Sequence, residues 1–120
     1  MKSTRVEDAP RLSPLKGVEM VILGSGEKMT FIKIVVQPGS GLPEHSHLNE
    51  QIGACLEGKG ELKSGGETIK VEPGVSWSIP SNEVHSFIAK GDSPVVIYEV
   101  WSPPRTDYLA MAARETGTRR

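Results

Sequence analysis

Apolar and polar residues alternate over short runs along this chain, and glycine, proline, asparagine and serine separate the runs. Val75-x-Trp77-x-Ile79 and Glu67-x-Ile69-x-Val71 show the period of two that sends successive side chains to opposite faces of a strand. Residues 30–36 and 95–101 instead carry apolar side chains on both faces. That pattern is expected where two sheets pack together and one of them is also covered by a partner or a terminal arm. Residues 18–23 and 28–37 flank Gly24-Ser25-Gly26-Glu27 and predict a hairpin, which Pro38-Gly39-Ser40-Gly41 closes. Residues 51–57 and 60–63 lie on either side of a bend at Gly58-Lys59. Gly65-Gly66 predicts a second hairpin into residues 67–72, and residues 75–79, 85–89 and 95–101 bring the total to about eight strands. Thr106-Asp107 then caps a short helix over residues 106–114, with residues 117–120 as its frayed end.

The reading is of an all-β chain with a short C-terminal helix, in a single domain spanning 1–120. The barrel occupies about 17–105, an N-terminal arm 1–16, and the helix and tail 106–120. A length of 120 residues suits one small core. With only six aromatic residues, Val, Ile and Leu must do most of the packing. One cysteine excludes an internal disulfide and any cysteine-rich zinc module. A net charge of −1 supplies no field to gather phosphates, so nucleic acid is not expected as a partner. No stretch approaches eighteen apolar residues, so no membrane span is expected, and the default expectation is a soluble cytoplasmic protein.

The chain's three histidines bring in chemistry. His45 and His47 stand at i and i+2, which on an extended strand share a face, and Gln51 at i+6 from the first has the same phase. His85 follows thirty-four residues after Gln51. Imidazole nitrogens suit a divalent ion, with manganese, nickel, zinc and iron as candidates. Glu50 has the opposite phase unless a bulge intervenes at Leu48-Asn49. Cys55 shares the phase but lies about 13 Å further along at roughly 3.3 Å per residue, so packing is its expected role. Three imidazoles and an amide are all neutral, which predicts an ion with its double charge uncompensated and a strong pull on an anionic oxygen.

The spacings around these residues form two motifs. Gly39 precedes His45-x-His47 by five residues, Gln51 follows after three more, and Gly58 six after that. Gly74 precedes Pro80 by five residues, and His85 comes after Asn82-Glu83-Val84. Together they resemble the paired motifs of the cupin superfamily, G-x5-H-x-H-x3,4-E-x6-G and G-x5-P-x-G-x2-H-x3-N. Gln51 stands where Glu is usual, Asn82 where Gly is usual and Ala89 where Asn is usual. Asn tolerates positive φ, so Asn82 is expected to fill the glycine's turn position. The resemblance implies a jelly-roll cupin barrel holding one divalent metal through His45, His47, Gln51 and His85.

The stretch from Tyr98 to Leu109, with His47-Leu-Asn-Glu-Gln51-Ile, is similar to the small cupins of pectin and alginate breakdown that ring-open unsaturated uronates. That likeness implies catalytic roles for Glu99, Trp101 and Arg105, with Glu99 in place of the usual Asp and Trp101 in place of the usual Phe. Glu99 would move a proton, Arg105 would grip a substrate carboxylate, and Trp101 would wall the pocket.

Three functions are compatible with these residues. The first is a metal-dependent isomerase or lyase acting on a small, anionic or enolisable metabolite. A metal-dependent dioxygenase or other redox cupin is the second, and a non-catalytic small-molecule-binding cupin the third. The Glu99/Arg105 pair favours the first, because proton chemistry needs it and an oxygenase does not. A homodimer is expected from the strands that are apolar on both faces.

Overall fold

The computed structural model describes residues 1–118, with side chains through residue 115. Ten strands and one helix follow a single 3-10 turn at Val6–Asp8: β1 Arg11–Leu15, β2 Val18–Ser25, β3 Thr30–Val36, β4 Gly41–His45, β5 Glu50–Glu57, β6 Lys59–Ser64, β7 Glu67–Val71, β8 Ser76–Ile79, β9 His85–Lys90, β10 Val95–Ser102 and α1 Thr106–Thr118. They form two antiparallel sheets, one of six strands in the order β1-β2-β3-β10-β5-β8 and one of four in the order β4-β9-β6-β7. This is a two-sheet antiparallel jelly-roll, all-β apart from α1, as the alternation predicts and the motif resemblance implies.

Burial follows the pleat. Along β3 and β10, Ile32, Ile34, Val36, Val95, Ile97 and Trp101 point inward and are almost wholly enclosed. Each such aliphatic side chain contributes about 1.5–3 kcal/mol on leaving water. The outer faces of the same strands also carry apolar residues, with Phe31 stacked on Tyr98 at 5.8 Å and Ile52 and Leu56 exposed on the neighbouring strand.

The two strands beyond the expected eight are both edge strands containing proline. β1, with Pro14, lies within the stretch expected as an N-terminal arm, and β4, with Pro43, lies where turn residues were expected to end a strand. Proline has no N–H to give a neighbour, so it is tolerated at an edge, where one side of the strand needs none. Helix α1 extends past the expected 106–114 to Thr118, so Gly117 and Thr118 of the expected frayed end are helical, while residues 119–120 lie outside the described residues. It rests on β1, with Ala112 buried and a Glu115 carboxylate accepting from Ser13 N at 3.2 Å.

Asn82 has φ 66°, the position the second motif gives to glycine. Its backbone N–H donates to His47 O at 2.8 Å, so this turn braces the loop that carries the first motif. Asn82→Gly should therefore change stability by less than about 0.5 kcal/mol, whereas Asn82→Val should cost roughly 1–3 kcal/mol, measured by urea denaturation.

Candidate metal centre

The histidines reach one another from two strand ends and a loop. His45 ends β4 and His85 begins β9, and the two are direct cross-strand partners, which places their side chains on the same face. His47 sits in the link between β4 and β5, where the chain passes from the small sheet to the large one. Ring centroids lie 4.2 Å apart for His45–His85, 4.9 Å for His47–His85 and 5.7 Å for His45–His47. One ring nitrogen from each could serve as a metal ligand, and these three atoms all fall within 4.8 Å of one another.

Each imidazole is held by its Nδ1. His45 Nδ1 meets Pro43 O at 2.7 Å, His47 Nδ1 meets Asn49 O at 2.8 Å, and His85 Nδ1 meets Glu83 O at 2.8 Å. A carbonyl accepts only, so these contacts place the proton on Nδ1 and leave the Nε2 lone pair of each ring as the donor. Backbone anchoring of the far nitrogen is how metal-ligating histidines are oriented. Burial holds both His47 and His85 below the usual imidazole range, and for His47 the Arg105 charge adds to the effect, so the neutral ligand form is favoured. A divalent ion with bonds of about 2.0–2.2 Å spans donors up to about 4.4 Å apart, so the three nitrogens fit one after shifts of a few tenths of an ångström.

Gln51 lies on β5, opposite Trp101 on one side and Ile79 on the other. It is buried and lines the same pocket as the histidines. The expectation of one continuous strand in phase from 45 to 51 does not hold, because residues 46–49 leave the strand and change sheets. The link restores the meeting in space that the phase argument ascribed to a straight strand. Glu50 is exposed, on the face away from the site, and Cys55 is packed in the core with its thiol directed to Glu57 O, both as expected.

Glu99 is buried at the centre of a ring of N–H donors. Its Oε2 accepts from Gln51 Nε2 at 2.8 Å and from Trp77 Nε1 at 3.1 Å, and its Oε1 from Trp101 Nε1 at 3.2 Å. The register explains the cluster: Trp77, Gly53 and Glu99 are directly opposed across β8, β5 and β10. A Cβ at position 53 would stand 2.6 Å from Trp77 Nε1 and 2.8 Å from Glu99 Cγ, so only glycine lets the two side chains meet above it. Burial pushes the Glu99 carboxyl up to about 7, against the three donors, which favour its ionised form. An acidic side chain thus stands one hydrogen bond behind Gln51, outside the all-neutral set of donors expected from the sequence.

Arg105 also lines the pocket but is not paired with Glu99. Its Nε and Nη2 donate to Asp107 at 3.1 and 2.9 Å, while its guanidinium lies 4.0 Å from the Tyr108 ring centroid and 5.0 Å from that of Trp101. Asn49, also buried, donates its side-chain N–H to Pro103 O and so ties the His47 link to the turn that carries Arg105. The rest of the pocket wall is apolar, including Ile34, Leu62 and Phe87.

The structure thus brings every expected site residue to one pocket. Sequence reasoning missed Trp77, Tyr108, Asp107 and Asn49. Asp107 and Tyr108 read from the sequence as helix residues within the stretch from Tyr98 to Leu109, with no site role, although their spacing from Arg105 is a signal. For Trp77 the only clue was its phase with Ile79.

Residues 32–101, more than half of the chain, match the cupin domain family, and the chain belongs to it. Similar solved structures include an RmlC-like cupin from Shewanella frigidimarina, with TM-score 0.82 and 19% identity over 90% of this chain and 96% of that one. KdgF from a Halomonas species has TM-score 0.80 and 21% identity over 88% and 98% of the two chains. Among curated proteins, the L-ectoine synthase of Hyphomonas neptunium is 26% identical over 91 residues, 74% of this chain and 67% of the synthase. What these matches and the pocket define together is a small cupin whose three close histidines are suited to hold a metal ion.

Proposed function

We propose that this cupin is a metal-dependent enzyme that moves a proton on a small carboxylate or enolisable metabolite, in the manner of uronate ring opening or isomerisation. One observation carries the reading: a histidine cluster, a buried carboxylate and a guanidinium share a single apolar-walled pocket. His45, His47 and His85 would hold the ion through Nε2, with the Gln51 amide oxygen as fourth donor. A bound divalent ion supplies Lewis-acid polarisation of a substrate oxygen.

The chain's own groups do the rest. Glu99 Oε2 already accepts two hydrogen bonds and Oε1 only one, so Oε1 is the atom with capacity for a proton. A carboxyl poised near neutrality suits transfer in either direction. Asp107 occupies the Nε–Nη2 edge of Arg105 and, with the Tyr108 and Trp101 rings, fixes the plane in which the guanidinium meets a substrate carboxylate. Trp101 and Trp77, both buried, wall the reacting side. The presence of a synthase among the curated relatives supports a catalytic rather than a purely binding role.

Elemental analysis of protein purified without added metal, with unsaturated uronates and small keto acids assayed under an oxygen electrode, tests this. The expected result is one divalent ion per chain and conversion without oxygen uptake. Oxygen consumption would replace the proposal with the dioxygenase. Metal without any turnover, but with ligand-induced thermal stabilisation, would replace it with the binding module.

The chain is also proposed to act as a homodimer through the outer face bearing Phe31, Tyr98 and Ile52. Sedimentation equilibrium should give twice the 13.0 kDa chain mass. A monomer at micromolar concentration would exclude it.

A further inference from the structure

A side-chain amide is an ambiguous ligand, because its oxygen can bind a cation and its NH2 cannot. The two ends are decided here by what stands behind them. Glu99 Oε2 takes Gln51 Nε2 at 2.8 Å, while the Trp77 and Trp101 indoles, which can only donate, pin both carboxyl oxygens as acceptors. With each oxygen already serving as an acceptor, the amide presents its nitrogen to Glu99. The Gln51 side chain lines the same pocket as His45, His47 and His85.

We infer that Glu99, besides moving a proton at Oε1, positions Gln51 through Oε2: it holds the amide nitrogen, turns the amide oxygen toward the three histidines and, when ionised, returns from one hydrogen bond away the negative charge that a glutamate ligand would carry. The placement follows from the ladder. Glu99 opposes Gly53 on β5, and Gln51, two residues along, is its diagonal neighbour on the same inward face. The bare backbone of Gly53 leaves the space in which the carboxylate is gripped from the other side by Trp77. Orientation of a ligand by a group behind it is a general feature of metal sites.

The inference rests on the metal site proposed above, and its test reads metal affinity rather than turnover. Ni2+ affinity is measured by calorimetry for the parent chain, Glu99→Gln, Gln51→Glu and the double variant. Glu99→Gln keeps an acceptor for the Gln51 amide but removes the charge, and should weaken binding by roughly 10- to 100-fold. Adding Gln51→Glu to that background restores the charge on the ligand itself and lets the amide at 99 donate to it, recovering at least about tenfold. In the native background the same change sets two carboxylates against each other, and no comparable gain is expected. Each Glu99→Gln form leaves one indole N–H without an acceptor, so that cost is common to the single and double variants.

An unchanged affinity in Glu99→Gln, or an equal effect of Gln51→Glu in both backgrounds, overturns the inference while leaving the metal site standing. A parent chain that binds no Ni2+ overturns both. Should a variant fail to fold, NMR of the native protein decides: the Gln51 side-chain NH2 should show cross-relaxation to the Trp77 indole proton and slowed exchange with solvent. Rapid exchange without that contact would refute the positioning.

Discussion

Replacing His85 by alanine should weaken divalent metal binding by at least about 100-fold, more than the usual cost of losing a group that merely orients a ligand. His85 is buried, cross-strand from His45, and its Nδ1 is fixed on Glu83 O, so neither a neighbour nor a rotated ring can take its place. The cleanest readout is the metal-dependent change in melting temperature. A parent chain at 100 times its dissociation constant gains about 2.7 kcal/mol from metal, and the variant under the same conditions should gain almost none. The metal-free variant will also melt lower, because a buried ring is lost, but that decrease does not depend on metal and subtracts out. A full metal-induced shift in His85→Ala would mean that the ion is held elsewhere.

Replacing Arg105 by methionine should separate substrate binding from metal binding. The guanidinium packs against the rings of Trp101 and Tyr108 with one edge on Asp107, so it is pre-ordered and costs little further entropy on meeting an anion. Loss of a charged hydrogen-bonding partner of this kind costs about 2–4 kcal/mol, or roughly 30- to 700-fold in affinity for a carboxylate ligand. Metal content should not change, since Arg105 is not among the donors. Arg105→Lys keeps the charge but loses the planar fork, and should recover only part of the affinity. Equal carboxylate binding by the parent and the methionine variant would remove Arg105 from the site.

Much of this was legible in the sequence where alternation or a turn residue wrote it plainly. Val75-x-Trp77-x-Ile79 gave β8, Gly65-Gly66 gave the β6–β7 hairpin, and the two-faced apolar strands became β3 and β10 at the centre of the larger sheet. β1 and β4 were hidden because edge strands can be short and interrupted by proline, so they carry little of the pattern that marks a central strand. Gln51 was placed in the site by an argument about phase that the backbone does not obey, and it arrives there because the 46–49 link turns the chain between sheets. The Trp77–Gly53–Glu99 row was illegible for a different reason. It depends on the register of three strands, fixed by long-range pairing that no local pattern encodes. With that row goes the acidic side chain behind Gln51, which the neutral set of donors read from the sequence does not include.

The account stands on three imidazoles converging on one ion through Nε2. A crystal soaked in Ni2+ and measured at the nickel absorption edge tests this most directly. The predicted result is a single anomalous peak about 2.0–2.2 Å from Nε2 of His45, His47 and His85, with the Gln51 amide oxygen on the same ion. A peak away from these residues, or ordered water among them with no anomalous signal, would contradict it.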